Sequence, residues 1–138
     1  MYNFNYHRPS SADEAVQAVS SAEEGKFLAG GMTLLPTMKQ RLAAPSDLVD
    51  LAGIAALKGV TDGGDYLVIG AMTTHAEVAA NATVQAKLPA LAALAGGIGD
   101  PQVRHRGTIG GSVANADPAA DYPSAVLALG ATIKTNKR

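Results

Sequence analysis

The sequence predicts an α+β domain, and three observations carry that reading. Short apolar segments of strand type alternate with segments of helix type from the N-terminus onward. Of the 138 residues 47% are hydrophobic but only 4% aromatic, so the core is built from small aliphatic side chains that suit helices packed closely on sheets. Glycine, proline and capping signals fall between these segments rather than inside them, so the chain divides into short elements within one domain's length.

Each element has its own local reason. Phe4 and Tyr6, at alternate positions, predict a short strand stopped by Pro9. Ser11 and Glu14 have capping-box spacing, and Ala12, Ala15, Val16 and Val19 share one face of the helix that follows, with Gly25 ending it. Residues 26–29 read as a buried strand running into Gly30-Gly31, and residues 34–42 as a helix with Pro36 in its first turn. Residues 48–51 form another strand. Residues 57–60 and 66–69 flank Asp62-Gly63-Gly64-Asp65, a hairpin signal. Thr74 and Glu77 make a second capping box, and residues 84–95 are helical with a new helix starting at Pro89. The run Gly96-Gly97-Ile98-Gly99-Asp100-Pro101 breaks that helix. Residues 122–129 read as a helix and 131–135 as a strand, after which the chain stops as a fragment would.

Composition excludes several function classes. The formal net charge is −1 and the 11 basic residues form no run, unlike a nucleic-acid binder. Without cysteine the chain holds no disulfide, iron–sulfur cluster or thiolate zinc site. The first residues lack the apolar core of a signal peptide, and no apolar run reaches the length of a membrane span, so the expected location is cytoplasmic. His7, His75 and His105 are scattered without second ligands, so no metal site is expected, and His75 is expected to be exposed at a helix start. No nucleophile elbow occurs, and no catalytic residue is assigned.

The chemistry lies in two glycine pairs. Consecutive glycines followed by a hydroxyl residue suit a turn whose N–H groups converge on an anion, because glycine permits positive φ and close approach. Gly30-Gly31 leads from a strand into a helix, with Thr33 offering a hydroxyl. Gly110-Gly111-Ser112 repeats the pattern, and two such loops facing one another would hold the two phosphates of a dinucleotide. A glycine pair is commonly a plain turn, so each alone is a weak signal. Neither matches a Rossmann fingerprint or a P-loop. Asp117 and Asp121 beyond the second pair would accept hydrogen bonds from a ribose or ring N–H, or else shape a turn before Pro118 and cap the next helix. Arg104-His105-Arg106 lends positive potential near phosphates or is a solvated surface triplet.

Read with their flanks, Ala29-Gly30-Gly31-Met32-Thr33-Leu34-Leu35-Pro36 and the run from Gly107-Thr108-Ile109-Gly110-Gly111-Ser112 to Asp121 resemble the paired FAD signatures of molybdenum hydroxylase medium subunits. His7-Arg8-Pro9, Val68-Ile69-Gly70-Ala71-Met72-Thr73-Thr74-His75 and Asp100-Pro101-Gln102-Val103-Arg104 add to the resemblance. It spans nearly the whole chain, and among the xanthine, aldehyde, N-heterocycle and carbon monoxide dehydrogenase branches it is closest to the last. The resemblance implies a vanillyl-alcohol-oxidase-like FAD fold, with a small N-terminal α/β subdomain over residues 1–55 and a larger, incomplete one over 56–138. By the same resemblance, the C-terminal domain of the family is expected to be absent from these 138 residues. By motif, Ala29, Gly30, Gly31, Met32 and Thr33 would wrap the pyrophosphate, and Thr108, Ile109, Gly110, Gly111 and Ser112 would close from the other side. Ile98 would lie near the adenine end, and Asp121 would hold the flavin or its ribityl chain. Met32 stands where the carbon monoxide branch usually has histidine.

The implied role is electron transfer: this subunit's FAD would receive electrons from a separate [2Fe-2S] small subunit and pass them to an external acceptor. A separate large subunit with a molybdenum cofactor would oxidise the substrate, in a dimer of heterotrimers. Two alternatives remain at this point. One is a self-standing flavin oxidase of the same fold, which would need a substrate domain of its own. The other is a non-catalytic module that binds partner subunits and whose glycine loops are structural.

Overall fold

In the computed structural model, which describes residues 1–137, a three-stranded sheet and two helices form the N-terminal part. Strands β1 (Asn5–His7), β2 (Gly25–Leu28) and β3 (Asp47–Asp50) are joined through helices α1 (Ala12–Ser21) and α2 (Leu34–Lys39). The sheet is parallel in the order β1-β3-β2, so β3 is central. That position explains why Leu48 and Val49 are fully enclosed whereas Phe27, on the edge strand β2, stays 45% exposed; the strand expected at 26–29 forms but is not a buried one. Ala15 of α1 packs on Val49 and Ile54, and an alanine there lets the helix lie close to the sheet. At the start of β3, Asp47 accepts from His7 Nε2 (2.7 Å), Ser46 Oγ (2.7 Å) and Asn5 Nδ2 (3.2 Å). The bond to His7 above all, then that to Ser46, holds its carboxyl below the usual carboxylate range.

Local signals at helix ends are largely used as their chemistry dictates. Ser11 caps α1 by accepting from Glu14 N at 3.2 Å, but Glu14 returns its carboxylate to Ser10, at both N and Oγ, rather than to Ser11. The helix ends at Ser21, four residues before Gly25, which instead opens β2. Helix α2 stops at Lys39, short of the predicted 42: Arg41, at φ 62°, turns the chain left-handed while Leu42 N bonds back to Thr37 O.

Past two 3₁₀ turns, β4 (Val60–Asp62) and β5 (Leu67–Ile69) form an antiparallel hairpin, its first strand beginning at Val60 and not at 57, because Leu57 closes the second 3₁₀ turn. Lys87 bonds Asp62 and the carbonyl of Gly64, tying its turn to a neighbouring helix. Helices α3 (His75–Ala80), α4 (Ala82–Lys87) and α5 (Pro89–Gly97) follow, then α6 (Pro101–Arg104), α7 (Ile109–Asn115) and α8 (Tyr122–Ala128). The capping box at Thr74 and Glu77 is complete. Val78, Val84, Leu91, Ala92, Ala95 and Tyr122 make the second core. Residues 131–135 are irregular and exposed, so the strand predicted there does not form; apolar pattern alone supplies no neighbouring edge to complete a ladder.

Candidate functional site: two glycine segments in contact

The first glycine pair lies between β2 and α2. Gly31 has φ 77°, a left-handed conformation that glycine adopts without a Cβ penalty. Among the described residues, the N–H groups of Ala29, Gly30, Gly31, Met32 and Thr33 donate to no protein acceptor, while the carbonyls of Gly31 and Thr33 serve Leu35 N and Thr37 N of α2. The Thr33 hydroxyl does not cap α2. A row of uncommitted donors around a left-handed glycine is the backbone arrangement that binds anions.

The second pair differs from the expected turn. Thr108 is the N-cap of α7, its hydroxyl accepting from Gly111 N at 3.1 Å, so Gly110 and Gly111 lie in the first helical turn. Ile109 N bonds Thr73 O (3.1 Å) and Gly110 N bonds Ala71 O (2.9 Å). These donors are committed to the protein, and the glycines are needed for contact. A Cβ on Gly110 would come within 2.5 Å of the Ala71 Cβ. Thr108 also bridges Thr74, so residues 71–75 seat the whole second segment.

The fold brings the two segments together. A Cβ on Gly30 would lie 2.0 Å from Arg106 O and 2.8 Å from Gly107 Cα, and one on Gly111 would lie 3.2 Å from Ala29 Cβ. Beside them is a cleft of about 150 Å³ lined by Ala29, Gly30, Lys58, Glu77, Arg106 and Thr108, among others. The Glu77 carboxylate is spent on Thr74 N (2.7 Å) and Thr74 Oγ1 (2.8 Å). Neither Lys58 nor Arg106 forms an ion pair among the described residues, so the cleft carries two cationic side chains against the one Glu77 carboxylate.

Over residues 2–138 the sequence matches the family described as the FAD binding domain in molybdopterin dehydrogenase. The chain belongs to this family. Among its relatives, the carbon monoxide dehydrogenase medium chain of Hydrogenophaga pseudoflava is 46% identical over 127 residues, covering 91% of this chain and 44% of that one. The nicotine 6-hydroxylase medium subunit of Paenarthrobacter nicotinovorans is 40% identical over 129 residues, 94% of this chain and 46% of the other. The structure superposes on carbon monoxide dehydrogenase from H. pseudoflava with a TM-score of 0.89 at 46% identity, covering 91% of this chain and 44% of that one. Quinoline 2-oxidoreductase from Pseudomonas putida 86 gives 0.85 at 36% identity, over 88% of this chain and 42% of the other. The chain spans less than half the length of these relatives.

Within this FAD-binding-domain fold, the residues singled out from sequence separate into a contact set and two outliers. Ala29, Gly30, Thr108 and Gly111 meet, with Gly31, Met32, Thr33, Ile109, Gly110 and Ser112 contiguous to them. Ile98 lies elsewhere, at the end of α5: it packs on the second core, and its carbonyl accepts from Arg104 Nη1 at 3.1 Å. Asp121 is exposed and its side chain does not cap α8, whereas Asp117 Oδ1 accepts from Ala119 N at 2.8 Å and so shapes its turn. In the basic triplet, Arg104 serves the Ile98 and Gly99 carbonyls and His105 serves Pro101 O, which leaves Arg106 at the cleft.

His75 is a correction, since it is 5% exposed and not on the surface. Its backbone N–H is drawn to Gly107 O, which turns the ring inward against Tyr122. Burial lowers its pKa, with Asp121 pulling the other way. Lys58 escaped the sequence reading altogether, because it reaches the cleft by tertiary placement and carries no motif.

Proposed function

We propose that this chain is the FAD-binding part of the electron-transfer subunit of a molybdenum hydroxylase, of the carbon monoxide dehydrogenase type. The observation that carries the reading is the row of uncommitted amides from Ala29 to Thr33, packed against Gly111 and beside a basic cleft, in a chain of this family. That surface fits a pyrophosphate: it offers several N–H donors with no acceptor among the described residues, beside the cationic side chains of Lys58 and Arg106.

On this reading, Ala29, Gly30, Gly31, Met32 and Thr33 donate to the phosphates and Arg106 and Lys58 add field. Thr108, Ile109, Gly110, Gly111 and Ser112 bring the second backbone up close, the Ser112 hydroxyl being the donor on that side. Ile98 would sit toward the adenine end, and the Asp121 carboxylate would accept from the flavin or its ribityl chain. Met32, 39% exposed, would contribute its main chain. FAD, when bound, accepts electrons and passes them on; the protein supplies binding, orientation and electrostatics. Residues 1–55 and 56–138 would then be the two FAD-binding subdomains, each contributing one glycine segment. The partners would be a [2Fe-2S] small subunit and a molybdenum-cofactor large subunit, in a cytoplasmic dimer of heterotrimers. Carbon monoxide dehydrogenase type is favoured over other branches by the 46% and 45% identity to two such medium chains.

The experiment is purification of the full-length subunit with its partners, followed by absorbance spectroscopy and cofactor analysis. Flavin at about one per subunit is expected. A complex that contains no flavin and takes none up on reconstitution would contradict the proposal.

A further inference from the structure

His75 and Tyr122 form a buried pair that the binding surface itself does not use. His75 opens α3; its N–H donates to Gly107 O at 3.0 Å, and its ring fills the space beside that glycine, so that a Cβ on Gly107 would come within 2.5 Å of Nε2. Nδ1 lies 3.3 Å from the Tyr122 hydroxyl, with ring centroids 5.3 Å apart and the planes inclined at 39°. Tyr122 is completely enclosed, although it begins a short surface helix. Burial, with the charge of Asp121 adding to it, raises the phenol's pKa above its ordinary value, and burial lowers that of the imidazole. The two meet as neutral groups, so the hydrogen bond buries no ion.

Tyr122 follows Asp121 directly. The Asp121 side chain makes no cap on α8, and the start of that helix is held by Ser124 Oγ donating to Asp121 O and by the Tyr122 anchor. On its other side the anchor reaches Gly107 through His75, at the foot of the second glycine segment. We propose that His75 and Tyr122 are positioning residues that fix the Asp121 carboxylate relative to residues 107–112, and so set how tightly FAD is held. The inference rests on the reading of Asp121 as a flavin contact.

The test measures FAD dissociation constants by flavin fluorescence on the full-length subunit, in a double-mutant cycle of Tyr122→Phe and Asp121→Ala. Tyr122→Phe keeps the ring and removes one hydrogen bond, so FAD should bind about fivefold more weakly. In the Asp121→Ala background it should cause no further loss, because the hydroxyl acts through that carboxylate. Wild-type affinity in Tyr122→Phe, or an equal loss in both backgrounds, overturns the pair's role. Unchanged affinity in Asp121→Ala alone refutes the flavin contact beneath it. If Tyr122→Phe does not fold, His75→Gln and His75→Leu serve instead. The glutamine can still bond the hydroxyl and should stay within about twofold of wild type, whereas leucine should lose about fivefold. Equal losses in both overturn the inference.

Discussion

Replacing Gly30 by alanine probes the contact between the glycine segments most sharply. The new methyl would sit 2.0 Å from Arg106 O, 2.7 Å from Arg106 C and 2.8 Å from Gly107 Cα. Carbon atoms rest comfortably at about 3.5 Å, so the two carbon contacts alone require a retreat of roughly 0.8 Å, and the oxygen contact requires more. All three obstacles are backbone, and no rotamer change relieves them. The cost therefore falls at the upper end of overpacking, about 3 kcal/mol, which lowers the melting temperature by about 9 °C. Gly97→Ala is the control: nothing lies within 4 Å of its added Cβ, and the site is the exposed end of α5. It should leave stability unchanged or raise it by about 0.5 kcal/mol. Thermal unfolding of both variants without FAD gives the stability difference, and FAD titration then gives the effect on binding, expected to be at least about tenfold weaker for Gly30→Ala. A Gly30→Ala variant within about 1 kcal/mol of wild type, with unchanged FAD affinity, would refute the contact.

Two other predictions concern buried charge and backbone strain. In the folded protein burial lowers the pKa of His75 below that of a free imidazole, and Asp121, the charged group acting on it among the described residues, partly opposes this; Tyr122 faces it as a neutral phenol. Stability from the neutral imidazole is therefore complete above the unfolded value and falls as pH drops through it toward the folded one. His75→Gln should flatten the loss of stability between about pH 7 and pH 5, read from urea unfolding at each pH. Ala116, at φ 52° where α7 ends, holds a left-handed conformation that costs an alanine about 1–2 kcal/mol, offset in glycine by about 0.5–1 kcal/mol of unfolded-chain entropy. Ala116→Gly should thus be more stable than wild type and Ala116→Val less, and the reverse order in thermal unfolding would contradict the strain.

What was legible in the sequence is what short-range chemistry decides. Thr74 and the Asp62-Gly63-Gly64-Asp65 turn act through neighbours three or four residues away and do in the fold what their spacing says, and Ser11 caps its helix although Glu14 answers to Ser10. The left-handed turn at Gly31 is legible for the same reason, since a left-handed glycine between a strand and a helix is a local event. Gly110-Gly111 does not, because Thr108 can cap a helix as readily as it can precede a turn, and the choice is made by Ala71 and Thr73 nearly forty residues earlier. The burial of His75 is not legible locally for a similar reason. A residue after an N-cap is usually exposed, and only Gly107 and Tyr122 turn this one inward. The edge position of β2, which leaves Phe27 exposed, is likewise a property of sheet order and not of residues 26–29.

The central claim is that the first glycine segment supplies the amides that hold the FAD pyrophosphate. Titrating ¹⁵N-labelled full-length subunit with FAD and following assigned backbone amide resonances tests it directly. The N–H groups of Gly30, Gly31 and Met32, which have no acceptor among the described residues, should move saturably and in step with flavin uptake, and that of Gly110, bonded to Ala71 O, should move much less. Saturation with FAD while Gly30, Gly31 and Met32 stay unmoved would contradict the account.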